Sequence, residues 1–222
     1  MFRAGCLTLF NAAITATQDI EASLSLVLLG KYKPAMALLR RYMETFLVAL
    51  YFDLELKKYK KNSKTFEHFE KEKERWIRKG RRFRFRGEYG LVERLVNPDT
   101  DYVALEVMKN TSTSFSKSSF RKYIEEIYSN LSKSVHFGGI NLPDDMLITF
   151  SEYNDELFKE WYSRLLQVHE ICNLLLVINF PSIVEHYEQY SKKEIEHERR
   201  IPLLLDSQIK ILKEQGVFDA DS

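Results

Sequence analysis

The 222 residues are 45% hydrophobic, enough to bury a core, and the length suits one domain of ordinary to large size. The 33 basic and 32 acidic side chains leave a net charge of +1, which excludes a strongly basic or acidic protein and argues neither for nor against nucleic acid. The two cysteines, Cys6 and Cys172, lie far apart in apolar settings without a CxxC or Cys/His pattern, so buried free thiols in a reducing cytoplasm are expected.

Residues 4–16 are apolar like the core of a signal peptide, but Arg3 alone supplies positive charge and Asn11 interrupts the run. The helical pattern continues through Gln18, Asp19 and Glu21, so a first helix is expected over about 5–29. Gly30 is a natural stop and Pro34 a natural first-turn residue, which predicts a short turn and a second helix over 34–59, antiparallel to the first. The second helix is apolar nearly all round until Lys57 and Lys58, the mark of a helix at the centre of a bundle.

A charged helix is expected over 63–79, then two short ones over 87–96 and 99–109, divided at Asn97-Pro98. Residues 110–119 form a Ser/Thr loop whose end can cap a helix over 120–135 with the stripe Phe120, Ile124, Ile127, Leu131 and Val135. A long helix follows over 152–180 and stops at Pro181, and its apolar run Ile171–Phe180 is too short to span a bilayer. Helices over 182–198 and 206–215 complete the chain. The fold class is therefore all-α, a multi-helix bundle built on a central antiparallel helical hairpin. Residues 1–180 are expected to form the bundle, with a basic insertion at about 63–110, and 181–222 a C-terminal helical extension packed on the same domain. Only Arg82–Arg86 reads as an extended stretch.

Two polar constellations interrupt this apolar pattern. On the second helix, Ala37, Arg40, Glu44, Leu47 and Tyr51 share one side, and Arg40 and Glu44 can pair one turn apart. On the 120–135 helix, Glu125, Tyr128, Ser132 and His136 form a polar stripe beside the apolar one. If the two helices pack together, an Arg, a Glu, a Tyr, a Ser and a His converge. Arginine offers a bidentate anion contact and histidine offers acid or base chemistry near neutral pH. The same residues can equally form a structural network that fixes helix register through satisfied hydrogen bonds.

The run Gly30-x-Tyr32-x-x-Ala35-x-x-Leu38-x-Arg40-x-x-x-Glu44, together with Tyr128-x-x-Leu131-Ser132-x-x-x-His136, resembles a group of helical prokaryotic proteins similar to HEPN-type domains. The likeness covers roughly residues 15–60 and 118–180. It implies a helical bundle that often dimerises, and either a metal-independent ribonuclease of a defence or toxin system or a binding module that has lost catalysis. In the catalytic case Arg40 would hold a phosphate, Glu44 would orient Arg40, and His136 would move a proton at the 2′-OH or leaving oxygen. The active HEPN signature is an Arg, usually followed directly by a polar residue, with four to six residues between it and a His. Only Arg164 and His169 have that spacing here, and Leu165 departs from it.

Residues 71–86 hold nine basic side chains against two acidic ones. Arg75, Arg78, Arg82, Arg84 and Arg86 are interleaved with Trp76, Phe83 and Phe85, a pattern that suits phosphate contact with base stacking. An extended strand would put Phe83 and Phe85 on one side and Arg82, Arg84 and Arg86 on the other. The alternative is that the rings anchor a surface loop and the arginines pair with acids of the chain or of a second copy. No Gly-rich phosphate loop, GxSxG elbow, HExxH or EF-hand loop is present. His68, His186 and His197 read as solvated, and Glu194, His197 and Glu198 do not make a metal site, so no cofactor is expected. The expectation is an HEPN-like cytoplasmic protein, associated with RNA and forming a homodimer away from membranes, or else a non-catalytic interaction module with a buried Arg-Glu-His network.

Overall fold

The structure is a computed structural model that describes residues 7–58, 64–79, 84–87, 90–111, 117–135, 152–184 and 204–217. Among these residues every regular element is a helix: α1 (Leu7–Leu28), α2 (Tyr32–Lys58), α3 (Lys64–Lys79), α4 (Leu91–Leu95), α5 (Pro98–Thr111), α6 (Phe120–Val135), α7 (Asp155–Asn179) and α8 (Asp206–Glu214). The all-α class is thus established. The expected helices at 5–29, 34–59 and 152–180 are present with ends shifted by one to three residues. Most of the expected 182–198 helix and the Glu194–His197–Glu198 group lie outside the described residues, as does Cys6.

The chain divides into two compact units, Met1–Leu95 with Glu125–Val168, and Val96–Ile124 with His169–Ser222. In the first unit α1 stops at a Schellman turn, where Gly30 takes φ +71° and the Lys31 amide donates to the Leu26 carbonyl at 2.8 Å. Three contacts then tie α2 back along α1. The Leu9 amide donates to Asp53 Oδ2 at 3.0 Å, Arg41 Nε to Asp19 Oδ2 at 2.9 Å, and Ser23 Oγ to the Ala35 carbonyl at 2.9 Å. Partners that advance along α1 retreat along α2, so the two helices run antiparallel. Asp19 is 1% exposed, and the Arg41 guanidinium closes it off from water.

Residues Phe46–Asp53 of α2 are buried on every side, as an apolar all-round helix must be. Trp161 of α7 is buried and donates from Nε1 to Ser23 Oγ at 2.7 Å, so one hydroxyl links α7, α1 and α2. The start of α7 is fixed by the Tyr32 hydroxyl, which donates to the Asn154 carbonyl at 2.8 Å and accepts from the Asn154 amide at 2.7 Å. Asn154 Oδ1 caps α7 by accepting from the amides of Glu156 and Leu157.

In the second unit Asn97 caps α5 through Oδ1 to the Thr100 amide at 2.8 Å, with Pro98 as the first helical residue. Asp101 of α5 in turn accepts from the Arg121 amide at 2.7 Å and so caps α6. Its core includes Ala104, Val107, Phe120, Ile124, Ile171, Cys172, Leu175 and Leu212. Gln208 closes the start of α8 by accepting from the Leu205 amide and donates from Nε2 to Glu170 Oε1 at 2.9 Å. No helix among the described residues is long and apolar enough to cross a membrane.

Gly30 combines a left-handed backbone with close approach, since a Cβ there would come closer than 3.0 Å to the Glu152 backbone. Backbone cannot move aside as a flexible side chain can. Gly30→Ala is therefore expected to destabilise the chain by about 2 kcal/mol or more in urea unfolding. A neutral effect would mean that Glu152 does not lie against this turn.

Candidate functional site

The two sequence constellations meet in the first unit. Arg40 Nε donates to Glu44 Oε1 at 3.0 Å, as the one-turn spacing on α2 predicts. Tyr128 of α6 completes the group, its hydroxyl accepting from Arg40 Nη2 at 2.9 Å and donating to the same Glu44 oxygen at 2.6 Å. Arg40, Glu44 and Tyr128 thus form a closed triangle of hydrogen bonds. The Arg40 and Glu44 side chains are 24% and 38% exposed, so the network is half-buried at the surface rather than sealed in the core. Solvent screening leaves such an ion pair worth about 1 kcal/mol or less, and the hydrogen bonds chiefly fix geometry.

Burial opposes the Arg40 charge, but Glu44 and Tyr128 outweigh it and raise the guanidinium pKa. Burial raises the Tyr128 pKa, the hydrogen bond and charge of Glu44 raise it further, and Arg40 opposes them. Tyr128 is therefore a neutral phenol that keeps its proton for Glu44.

Ser132 stands apart from the triangle. Its hydroxyl donates to the Tyr128 carbonyl one turn back along α6, at 2.8 Å. His136 lies outside the described residues, so the third member that the structure provides beside Arg40 and Glu44 is Tyr128.

The basic segment reaches the same place from the other side. Phe85 is 5% exposed and stacks on Tyr128, with ring centres 3.7 Å apart and planes 11° from parallel. Arg84 and Arg86 on either side of it are exposed, the alternation expected of the sequence. The described part of this stretch is nevertheless a loop and not a strand. The Arg84 and Phe85 carbonyls accept from the amides of Leu91 and Val92 at 2.8 and 3.2 Å, so the loop closes on the start of α4. Gly87 makes the turn with φ +80°, and the Arg84 guanidinium lies over it, Nη2 3.2 Å from where a Cβ would sit. Arg86 Cζ lies 5.9 Å and Arg40 Cζ 5.1 Å from the Tyr128 ring centre, so two cations share one phenol. Arg75 is exposed on α3, while the Arg78 side chain and Arg82 lie outside the described residues.

Composition and motif spacing did not single out Arg94. It lies on Tyr51 with Cζ 5.5 Å from the ring centre, and Nη1 donates to the Tyr51 hydroxyl at 3.0 Å. The available signal was Tyr51 itself, a polar-tipped ring on the same side of α2 as Arg40 and Glu44. Burial raises the Tyr51 pKa and the Glu55 charge adds to it, against the opposing pull of Arg94.

The Arg164 and His169 pair is engaged elsewhere. Arg164 donates to Gln167 Oε1 at 3.1 Å and lies 4.0 Å from Glu160. His169 lies 3.0 Å from Asn173 Nδ2 through its own Nε2, and burial lowers its pKa, leaving a neutral ring. His68 is exposed on α3. Among the described residues no group of three or more His, Cys, Asp or Glu side chains could hold a metal ion.

No family model, no curated protein and no solved structure matches the chain.

Tyr128→Phe removes one accepted and one donated hydrogen bond and keeps the stacked ring. The variant is expected to fold and to lose about 1–2 kcal/mol in urea unfolding near neutral pH. A raised phenol pKa stabilises the fold fully below the unfolded value of about 10, and that contribution is lost as pH rises through the folded value. Wild type should therefore lose stability above about pH 10 more steeply than Tyr128→Phe. Parallel alkaline profiles would show that the phenol is not held protonated by its site.

Proposed function

We propose that this chain is an HEPN-like helical module that associates with RNA through the arginine edge around Tyr128. The observation that carries the reading is the stack of Phe85 on Tyr128, which leaves Arg84 and Arg86 exposed, with Arg86 and Arg40 at the same ring. Three features support it together: a loop whose carbonyls are held by the start of α4, two guanidiniums near one phenol, and a carboxylate already bonded to Arg40. Guanidiniums held this way meet phosphate oxygens with little further loss of side-chain freedom. Phe85 itself is covered, so it serves as the anchor of the loop and not as a platform for a base.

In this reading the Arg40–Glu44–Tyr128 triangle holds the edge in shape and carries no reaction. The Arg40 and Glu44 exposures favour a second reading, a metal-independent ribonuclease in which Arg40 binds the scissile phosphate and His136 moves the proton. Either form would be a cytoplasmic protein. The exposed Leu24 and Leu28 of α1 and Tyr162 and Leu166 of α7 offer apolar surface that a second copy would cover in a homodimer.

The test is RNA binding by the full chain at low and moderate salt, with cleavage followed in the same samples in the presence of a chelator. The expected result is salt-sensitive binding, weakened by Arg86→Ala, without cleavage. Chelator-resistant cleavage lost in both Arg40→Ala and His136→Ala would establish the ribonuclease instead. Absence of binding at low salt would make the arginine edge structural and leave an interaction module. Sedimentation velocity on the same samples reads the dimer, and a monomer throughout removes that part of the reading.

A further inference from the structure

The polar stripe of α2 continues beyond the triangle. Tyr51 lies seven residues after Glu44, two turns along the same side, and Arg94 is laid on it as Arg40 and Arg86 are laid near Tyr128. The two tyrosines are alike in burial, 8% and 9% exposed, and Arg94 is exposed above the first. Eleven residues separate Arg40 from Tyr51, a span of about 16 Å along the helix. The acids on this stripe are engaged within α2, Glu44 with Arg40 at 3.0 Å and Glu55 with Lys58 at 2.6 Å. Glu72 of α3, whose charge reaches Tyr51, borders that end.

The geometry points to a linear track for the sugar–phosphate backbone of single-stranded RNA, running along α2 from Arg40, Arg84 and Arg86 to Arg94. This rests on the nucleic-acid reading above and adds to it the strandedness of the ligand and a contact residue outside the basic segment. The cations stand at two places on one side of α2, Arg40 and Arg86 at Tyr128 and Arg94 at Tyr51, a spacing that one phosphate chain can follow. A duplex presents two backbones and needs a second row. The tyrosine rings are nearly covered and hold arginines, so they are not free to stack on bases. Recognition through such a row is recognition of phosphate, with no preference among bases. Arg40, Arg86 and Arg94 lie against tyrosines and Arg84 lies over the Gly87 turn, and each guanidinium has further N–H groups for phosphate oxygens.

The experiment measures anisotropy of the full chain with oligo-U, oligo-A and the duplex that they form, each about twelve nucleotides long. The two single strands should bind alike and the duplex more weakly. Arg94→Ala should weaken single-strand binding about five- to tenfold at low salt and lower the log–log salt slope by about 0.7. Arg94→Lys should restore most of the loss, because the phosphate contact needs the charge. Thermal melts check that the variants fold, and Arg94→Gln replaces Arg94→Ala if the latter does not. If wild type binds RNA but the neutral Arg94 variant binds equally well with the same slope, or the duplex binds as tightly as the single strands, the track is wrong and the RNA reading stands. If wild type binds no RNA, both fall.

Discussion

One phenol organises the described surface of the first unit. The Tyr128 hydroxyl sits between a donor and an acceptor that both come from α2, Arg40 and Glu44. That pins α6 to α2 at a defined register. The flat ring so fixed receives Phe85, and Phe85 brings the loop of Arg84 and Arg86 against the bundle. Removing the hydroxyl leaves the ring buried but takes away what sets its height and rotation. Position, then, is what the hydrogen bonds supply.

The stabilising energy comes from elsewhere. The stretch Phe46–Asp53 of α2 is enclosed on all sides, and full burial of each large apolar side chain contributes about 1.5–3 kcal/mol. Polar groups in the helical pair of α1 and α2 are mostly matched to specific partners: Asp19 to Arg41, Ser23 to both Ala35 and Trp161, Asp53 to the Leu9 amide. Burial raises the Asp53 pKa, against the lowering effect of the hydrogen bond from the Leu9 amide. With the hairpin held by these contacts, the Arg40–Glu44–Tyr128 triangle can remain half open to water without endangering the fold.

The helices were legible because their signals are local. Gly30 after an apolar run, Pro98 behind Asn97 and Pro181 after α7 each mark an end by backbone chemistry that depends on the neighbouring few residues. The Arg40–Glu44 pair was legible for the same reason, as helix spacing alone makes it. The meeting of α2 with α6 required tertiary packing, which periodicity cannot supply, though it named every residue involved. The aromatic–basic alternation at Arg84–Arg86 was read correctly as an in–out pattern and incorrectly as a strand. Its carbonyls are taken by α4, and that capping depends on the Gly87 turn. Ser132 looked like a site residue because it shares a stripe with Tyr128, yet a serine inside a helix has a carbonyl within reach one turn back. Arg94 had no local mark at all, since its role comes from a tyrosine 43 residues away.

The measurement that tests this account most directly is a double-mutant cycle between Arg40 and Tyr128, with Arg40→Ala, Tyr128→Phe and the pair compared by urea unfolding. If the triangle ties α6 to α2, the two changes are coupled by about 1 kcal/mol, because either one already breaks their shared bond. Effects that add to within about 0.3 kcal/mol would show two independent residues and remove the interaction on which the arrangement of the arginine edge depends.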